Sequence, residues 1–287
     1  MYKTILLILF PIIIFAQVQF IPISCDYASF HSSDSLTYLE IYVSTFQGSI
    51  QYNKDESGVY TGSFKNTLVL SDNSGSIDTL IHNYKNSFND TLSAYKYNQL
   101  IDVFTLEVPY GSYTAKVEIL DNTSLKKGEY LFKINTITPK DGLFLSDVEL
   151  CNKIGMDTSK SLYYKNGLKV VPNPRRVYDL LQPMLYFYVE LNNLSFQSAQ
   201  QNNYEFSYAI TTISGDTVKT RKPLIKGIAG PKLVEMGALN VMALSNDNYK
   251  IVVKAKDIKT NKEATKHARF QVYKPSAERE KGQQNCQ

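Results

Sequence analysis

One strand pattern is written twice in this chain. Tyr113, Ala115, Val117, Ile119 and Asp121 are interleaved with Thr114, Lys116 and Glu118, and Tyr249, Ile251, Val253, Ala255 and Asp257 with Lys250, Lys254 and Lys256. Each copy follows a Gly/Asn/Asp turn, and alternation with a period of two makes a half-buried strand. The likeness continues downstream: Leu131-Phe132-Lys133-Ile134 follows the first copy, and Ala268-Arg269-Phe270-Gln271-Val272 follows the second at nearly the same offset. Two modules of one kind are therefore expected.

The N-terminus points to export. Lys3 supplies a positive start, Ile5 to Phe15 is apolar, and Ala16 is a small residue at which a peptidase cuts. A run of about eleven apolar residues fits a secretory signal peptide, whereas a spanning helix needs about 20. Cleavage after Ala16 leaves Gln17 first and no transmembrane span in the mature chain. An uncleaved anchor is the rival, because Val18, Phe20, Ile21 and Ile23 keep the next stretch apolar. A lipoprotein anchored at Cys25 is disfavoured, since Pro22-Ile23-Ser24 lacks the aliphatic residue needed three positions upstream.

The remaining length suits two domains of about 110 to 150 residues each. With 21 Tyr, 14 Phe and no Trp, the aromatic content favours strands. Short strands separated by turns recur along the chain, and nothing in residues 17–141 keeps a helical period. The expected fold is all-β, with two tandem immunoglobulin-like antiparallel β-sandwiches at 17–141 and 142–275 and a polar tail at 276–287. Thr138-Pro139-Lys140-Asp141-Gly142 marks the boundary. Lys65-Asn66 reads as a hairpin turn, and so does Asp72-Asn73-Ser74-Gly75. Pro172 and Pro174 stop a strand sharply. Leu185 to Leu191 reads as a central strand, Tyr204 to Ile213 as one paired with Thr217 to Thr220, and Leu239 to Leu244 as a short helical turn.

Chemistry is sparse. The net charge of +4, about +3 without Lys3, gives no concentrated basic face and no expectation of nucleic-acid binding. Asp257, Glu263, Glu278 and Glu280 interrupt the most basic stretch, Lys254 to Lys281. His31, His82 and His267 have no metal-ligand spacing, and neither a nucleophile elbow nor a phosphate loop occurs. No catalytic, cofactor or metal residue is assigned. Cys25 and Cys151 are the candidate disulfide, with two buried free thiols as the preferred alternative, and Cys286 has no partner. Asp147 and Glu149 share a strand face, as a carboxylate pair or calcium site would require, but strand-end carboxylates facing water are the simpler reading. Arg175-Arg176 can clamp an acidic group bidentately, or pin a loop. Tyr38, Glu40 and Tyr42 alternate with Leu39, Ile41 and Val43, which sets the tyrosines on the more polar face as a candidate interaction surface or as packing between modules.

Asp26-Tyr27-Ala28-Ser29-Phe30 with Leu39-Glu40-Ile41-Tyr42, the Leu145-Ser146-Asp147-Val148-Glu149-Leu150 segment, and Asn166-Gly167-Leu168 through Pro172-Asn173-Pro174 to Leu185–Leu191 together resemble the N-terminal region of the GWxTD-domain proteins. These are exported proteins of Bacteroidetes and relatives. The resemblance spans most of residues 26–275 and implies an envelope protein with no transferable catalytic residue. The Gly-Trp-x-Thr-Asp signature and its preceding helical region are absent, as for a truncated member or a short paralogue. Val170-Val171-Pro172-Asn173-Pro174 looks like the opening of a type IX sorting domain, but more than 110 residues follow it. Asp34-Ser35-Leu36, Asp78-Thr79-Leu80, Asp90-Thr91-Leu92 and Asp216-Thr217-Val218 resemble a Bacteroidetes O-glycosylation triplet, although turn residues preceding strands give the same pattern.

The resulting expectation is a periplasmic or surface protein that binds an envelope protein partner without catalysis. The alternatives are a carbohydrate-binding or hydrolytic subunit with Asp147, Glu149 and Arg176 lining a cleft at the module junction, and a surface adhesin.

Overall fold

The computed structural model describes residues 20–199 and 201–275. The expected leader at 1–16, Gln17, Cys286 and the tail from Ser276 lie outside these residues. The described residues are nearly all β, with 61% of them in strands and 3% in helix. No helix among the described residues is long and apolar enough to cross a membrane.

In chain order the first half contributes β1 (Ile23–His31), β2 (Leu36–Phe46), β3 (Asn53–Lys54), β4 (Tyr60–Asp72), β5 (Gly75–Phe88), β6 (Gln99–Pro109), β7 (Ser112–Asp121) and β8 (Lys127–Asn135). The second half contributes β9 (Phe144–Leu145), β10 (Glu149–Met156), β11 (Tyr164–Lys165), β12 (Leu168–Pro172), β13 (Val177–Tyr178), β14 (Met184–Asn192), β15 (Asn203–Thr212), β16 (Thr217–Thr220), β17 (Leu224–Gly227), β18 (Leu233–Asn240), β19 (Asp247–Asp257) and β20 (Glu263–Val272). The first sandwich pairs the sheet β1-β2-β6 with the sheet β5-β4-β7-β8, where β3 also lies beside β4. The second pairs β11-β12-β10-β14-β18, with β9 on β14, against β13-β20-β19-β15, with β16 and β17 on β15. Leu39, Ile41, Val43 and Phe104 meet Leu68, Leu70, Val117 and Ile119 in the first core. Leu185, Phe187, Val189 and Leu191 meet Phe206, Ile210, Ile251 and Val253 in the second. Each such fully buried side chain contributes about 1.5–3 kcal/mol, which is why period-two alternation fixes the register.

The repeated pattern occupies equivalent places: β7 lies between β4 and β8, and β19 between β15 and β20. Its two end residues have structural work. Tyr113 donates its hydroxyl to Pro109 O at 2.5 Å and Tyr249 donates to Ser245 O at 3.2 Å, so each tyrosine ties its strand to the chain four residues upstream. Asp121 accepts from Gln51 N and Thr123 N, and Asp257 accepts from Ser195 N and Thr260 N. Each buried carboxylate thereby closes the turn after its strand and holds the loop that leaves the β2 or β14 strand.

Two local expectations change. Lys65-Asn66 is no turn, because β4 runs straight through it, and Asn66 is tolerated inside the sandwich since its amide donates to buried Asp102 at 2.8 Å. Leu239–Asn240 ends strand β18, and its pairing with β14 outweighs the helical spacing of Leu239 to Leu244.

Candidate functional site

The expected site residues collect where the two sandwiches meet. Strand alternation gives β1 and β2 a second face, and this face does not reach water. Ala28, Phe30, Tyr42 and Val103 pack on Cys151, Val170 and Tyr188 of the second sandwich. Tyr42 is only 2% exposed, so it packs between modules and is no surface for an external partner. Tyr38 is half-buried at the margin of the same cluster.

Lys165 is the electrostatic centre of this junction. It ends β11, and the turn Asn166-Gly167, with φ of +51° and +80°, returns the chain to β12 so that Lys165 faces Leu168. Positive φ at both turn positions is what Asn-Gly supplies in a two-residue hairpin. Lys165 Nζ lies 2.5 Å from Glu40 Oε2 of the first sandwich and 2.6 Å from Glu149 Oε2 of the second. It also stands 4.1 Å from the Phe30 ring centre and 4.8 Å from that of Tyr188. Tyr42 donates to Glu40 Oε2 at 2.6 Å. Burial pushes the Glu149 carboxyl up to about 7 against the pull of Lys165, with Glu40 adding to the rise. Burial acts to lower the Lys165 ammonium, but Glu149 and Glu40 outweigh it and hold the group above its ordinary value.

Three further ties flank this centre. Arg176 donates Nε to Asp26 Oδ2 at 2.6 Å, and its Nη2 pairs with Asp26 Oδ1, a bidentate clamp across the junction. Asp147 Oδ2 accepts from Ser29 N at 3.0 Å and Ser29 Oγ at 2.6 Å, while Lys266 Nζ sits 2.9 Å from its Oδ1. Lys232 pairs with Glu190 at 2.7 Å. Asp147, Glu149 and Arg176 thus lie at the junction, each engaged by a side chain or backbone group of the protein, and they do not converge on a common cleft. Arg176 pins its loop, while Arg175 places its guanidinium 5.4 Å from the Phe46 ring centre.

Cys25 and Cys151 are unbridged. The candidate disulfide fails on strand geometry: Cys25 points with Ile23 and Tyr27 toward the first core, whereas Cys151 lies in the junction on the other face of that sheet. Burial, then the neighbouring Asp26 charge, pushes the Cys25 thiol up to about 12. Among the described residues, no group of three or more His, Cys, Asp or Glu is placed to hold a metal ion.

Two adjoining cavities open beside the junction. One, of about 160 Å³, enters the first sandwich between β5 and β6, where Asp102 accepts from Asn66 and Tyr84 and lies 2.9 Å from His82 Nδ1. The other, of about 340 Å³, lies between Tyr97–Ile101 of the first sandwich and the Asn152, Arg175 and Gln182 region of the second. Lys165 and this amide-lined cleft escape a motif search. Asn166-Gly167 is the signal that locates Lys165, and no local pattern locates the cleft because it joins residues from separate strands.

No family model matches the chain, and no curated protein is similar to it in sequence. Among solved structures, it is similar to a putative β-galactosidase from Bacteroides fragilis, at 12% identity and a TM-score of 0.27 over 90% of this chain and 35% of that one. It is also similar to β-glucuronidase 2 of Bacteroides uniformis, at 11% identity and a TM-score of 0.24 over 83% of this chain and 26% of that one. The chain thus spans about a third or less of the structures it overlays, and at these scores the likeness carries neither fold nor function to it.

Proposed function

We propose that this chain is an exported cell-envelope protein of the GWxTD-like kind, acting without catalysis as a protein-interaction or scaffold module. Its parts would be two immunoglobulin-like sandwiches. The strand orders support that reading, since β1-β2-β6 against β5-β4-β7-β8 recurs as β10-β14-β18 against β15-β19-β20, with β16 and β17 in the place of β5. The observation that carries the proposal is the locked junction: buried Glu40, Glu149 and Asp26 are all spent on joining two sandwiches, which makes a rigid platform.

Because Tyr42 is buried, the partner-binding surface is assigned to a sheet edge. Among the described residues β5 is paired only with β4; it runs from Gly75 to Phe88 without a fully buried residue and exposes Ile77 and Ile81. An unpaired edge of this length offers backbone donors and acceptors to an added strand. Affinity purification of the tagged protein from its native envelope, followed by mass spectrometry, tests this. A stable protein partner is expected, lost in an Ile77→Lys, Ile81→Lys variant, with bait peptides beginning at Gln17. A processed bait recovered alone overturns the interaction reading.

A further inference from the structure

We infer that the open half of the β12-β10-β14-β18 sheet face is a contact surface for a second copy of this chain, paired about a two-fold axis. An antiparallel sheet with one face in water alternates apolar residues inward with polar residues outward. β14 departs from this rule: Met184-Leu185-Tyr186-Phe187-Tyr188 is apolar at every position, with Leu185 and Phe187 in the second core and Met184, Tyr186 and Tyr188 on the outer face. Both faces of this sheet are therefore built to be covered. The first sandwich covers one half of the outer face, over Cys151, Val170 and Tyr188. Beyond it the apolar surface continues without a break, because Ile154, Leu168 and Tyr186 pack against that junction cluster and also line a groove of about 330 Å³. Pairing sets Met156 beside Leu168 on one flank and Ala238 beside Tyr186 on the other. Among the described residues no charged side chain lines the groove.

Shape and symmetry choose the occupant. The groove lies in the angle beside the first sandwich, which a flat lipid surface does not enter, so a projecting apolar group is required. Met156 is such a group: it stands on the rim of the groove, is 81% exposed, and has a flexible thioether chain that adapts to an irregular hole. In an isologous contact the same patch serves both copies, so Met156 of each enters the groove of the other. That pairing buries no charge, and it sets the first sandwich of each copy beyond the end of its partner's sheet. Four strands about 4.8 Å apart, each contributing about two outer positions, offer a few hundred Å² per copy, less than the roughly 800 Å² per partner of a standard interface. The dimer is therefore a weak, reversible one. This surface is separate from the β5 edge and does not rest on the protein-interaction reading.

Sedimentation equilibrium of the purified protein from about 1 to 300 µM tests the assignment, with a monomer–dimer equilibrium of Kd on the order of 10–100 µM expected. Met156→Glu and Met236→Lys each place a charge in the contact and are expected to weaken it by about tenfold or more. Their melting temperatures should hold, because Met156 and Met236 are 81% and 49% exposed. The Ile77→Lys, Ile81→Lys variant should dimerise as the unaltered protein does. A monomer throughout the range, a dimer undiminished in both methionine variants, or a dimer lost only in the β5 variant overturns the assignment. A monomer whose co-purified envelope partner is lost in Met236→Lys gives the face to another protein and equally overturns it.

Discussion

Lys165 holds together two carboxylates that would otherwise repel across the junction. With Glu40 on one side and Glu149 on the other, both within 2.6 Å of one ammonium, removing the cation leaves two buried acids facing each other. Lys165→Met is therefore expected to destabilise the protein by about 3–5 kcal/mol, the cost of stranding buried charge, as read by urea unfolding. Glu149→Gln should behave differently. Below the ordinary carboxyl value of 4.5, Glu149 is protonated in both the folded and the unfolded chain; between 4.5 and about 7 the folded chain retains a proton that the unfolded chain releases. Stability from this group is thus full at low pH and lost as pH rises through about 7. Unfolding curves of Glu149→Gln across that window should lose this downward slope, and an unchanged slope would assign the linkage to another group.

At the scale of the element, the twice-written strand owes its likeness to its ends as much as to its apolar face. Tyr113 and Tyr249 anchor their strands through one hydrogen bond each, and the two sites lie in separate cores. Tyr113→Phe and Tyr249→Phe should each cost about 1 kcal/mol. Their effects should add in the double variant, because distant sites rarely couple. Thermal unfolding of the three proteins checks this, and marked non-additivity would mean that the two corners communicate. Period two, turn residues and the Tyr-to-Asp frame were enough to read the sandwich strands from residues alone. The reading failed where a polar residue found a partner distant in sequence: Asn66 reads as turn until Asp102 is placed beside it. The polar face of β2, with Tyr38, Glu40 and Tyr42, reads equally as an interaction surface or as packing between modules until a second sheet supplies Lys165. Alternation reports that a strand has two unlike faces, and only packing decides whether the more polar one meets water or another module.

Across the whole molecule, attraction and registry come from different groups. Ala28, Phe30, Tyr42 and Val103 against Val170 and Tyr188 supply the apolar burial that favours contact, whereas buried ion pairs contribute little net free energy and select one alignment. The connection at 136–143 is itself pinned, since Ile137 N donates to Ser29 Oγ at 3.1 Å and both Ile137 and Leu143 are buried. Each sandwich nevertheless has its own core and could melt alone once the junction fails. Scanning calorimetry of the unaltered protein should therefore show one cooperative transition, with calorimetric and van't Hoff enthalpies in agreement. In Lys165→Met, where the cation that links Glu40 of one sandwich to Glu149 of the other is gone, the same scan should resolve two transitions. Two transitions already present in the unaltered protein would show that the junction aligns the sandwiches without coupling them. A single transition merely shifted downward in Lys165→Met would show that the apolar contact couples them unaided.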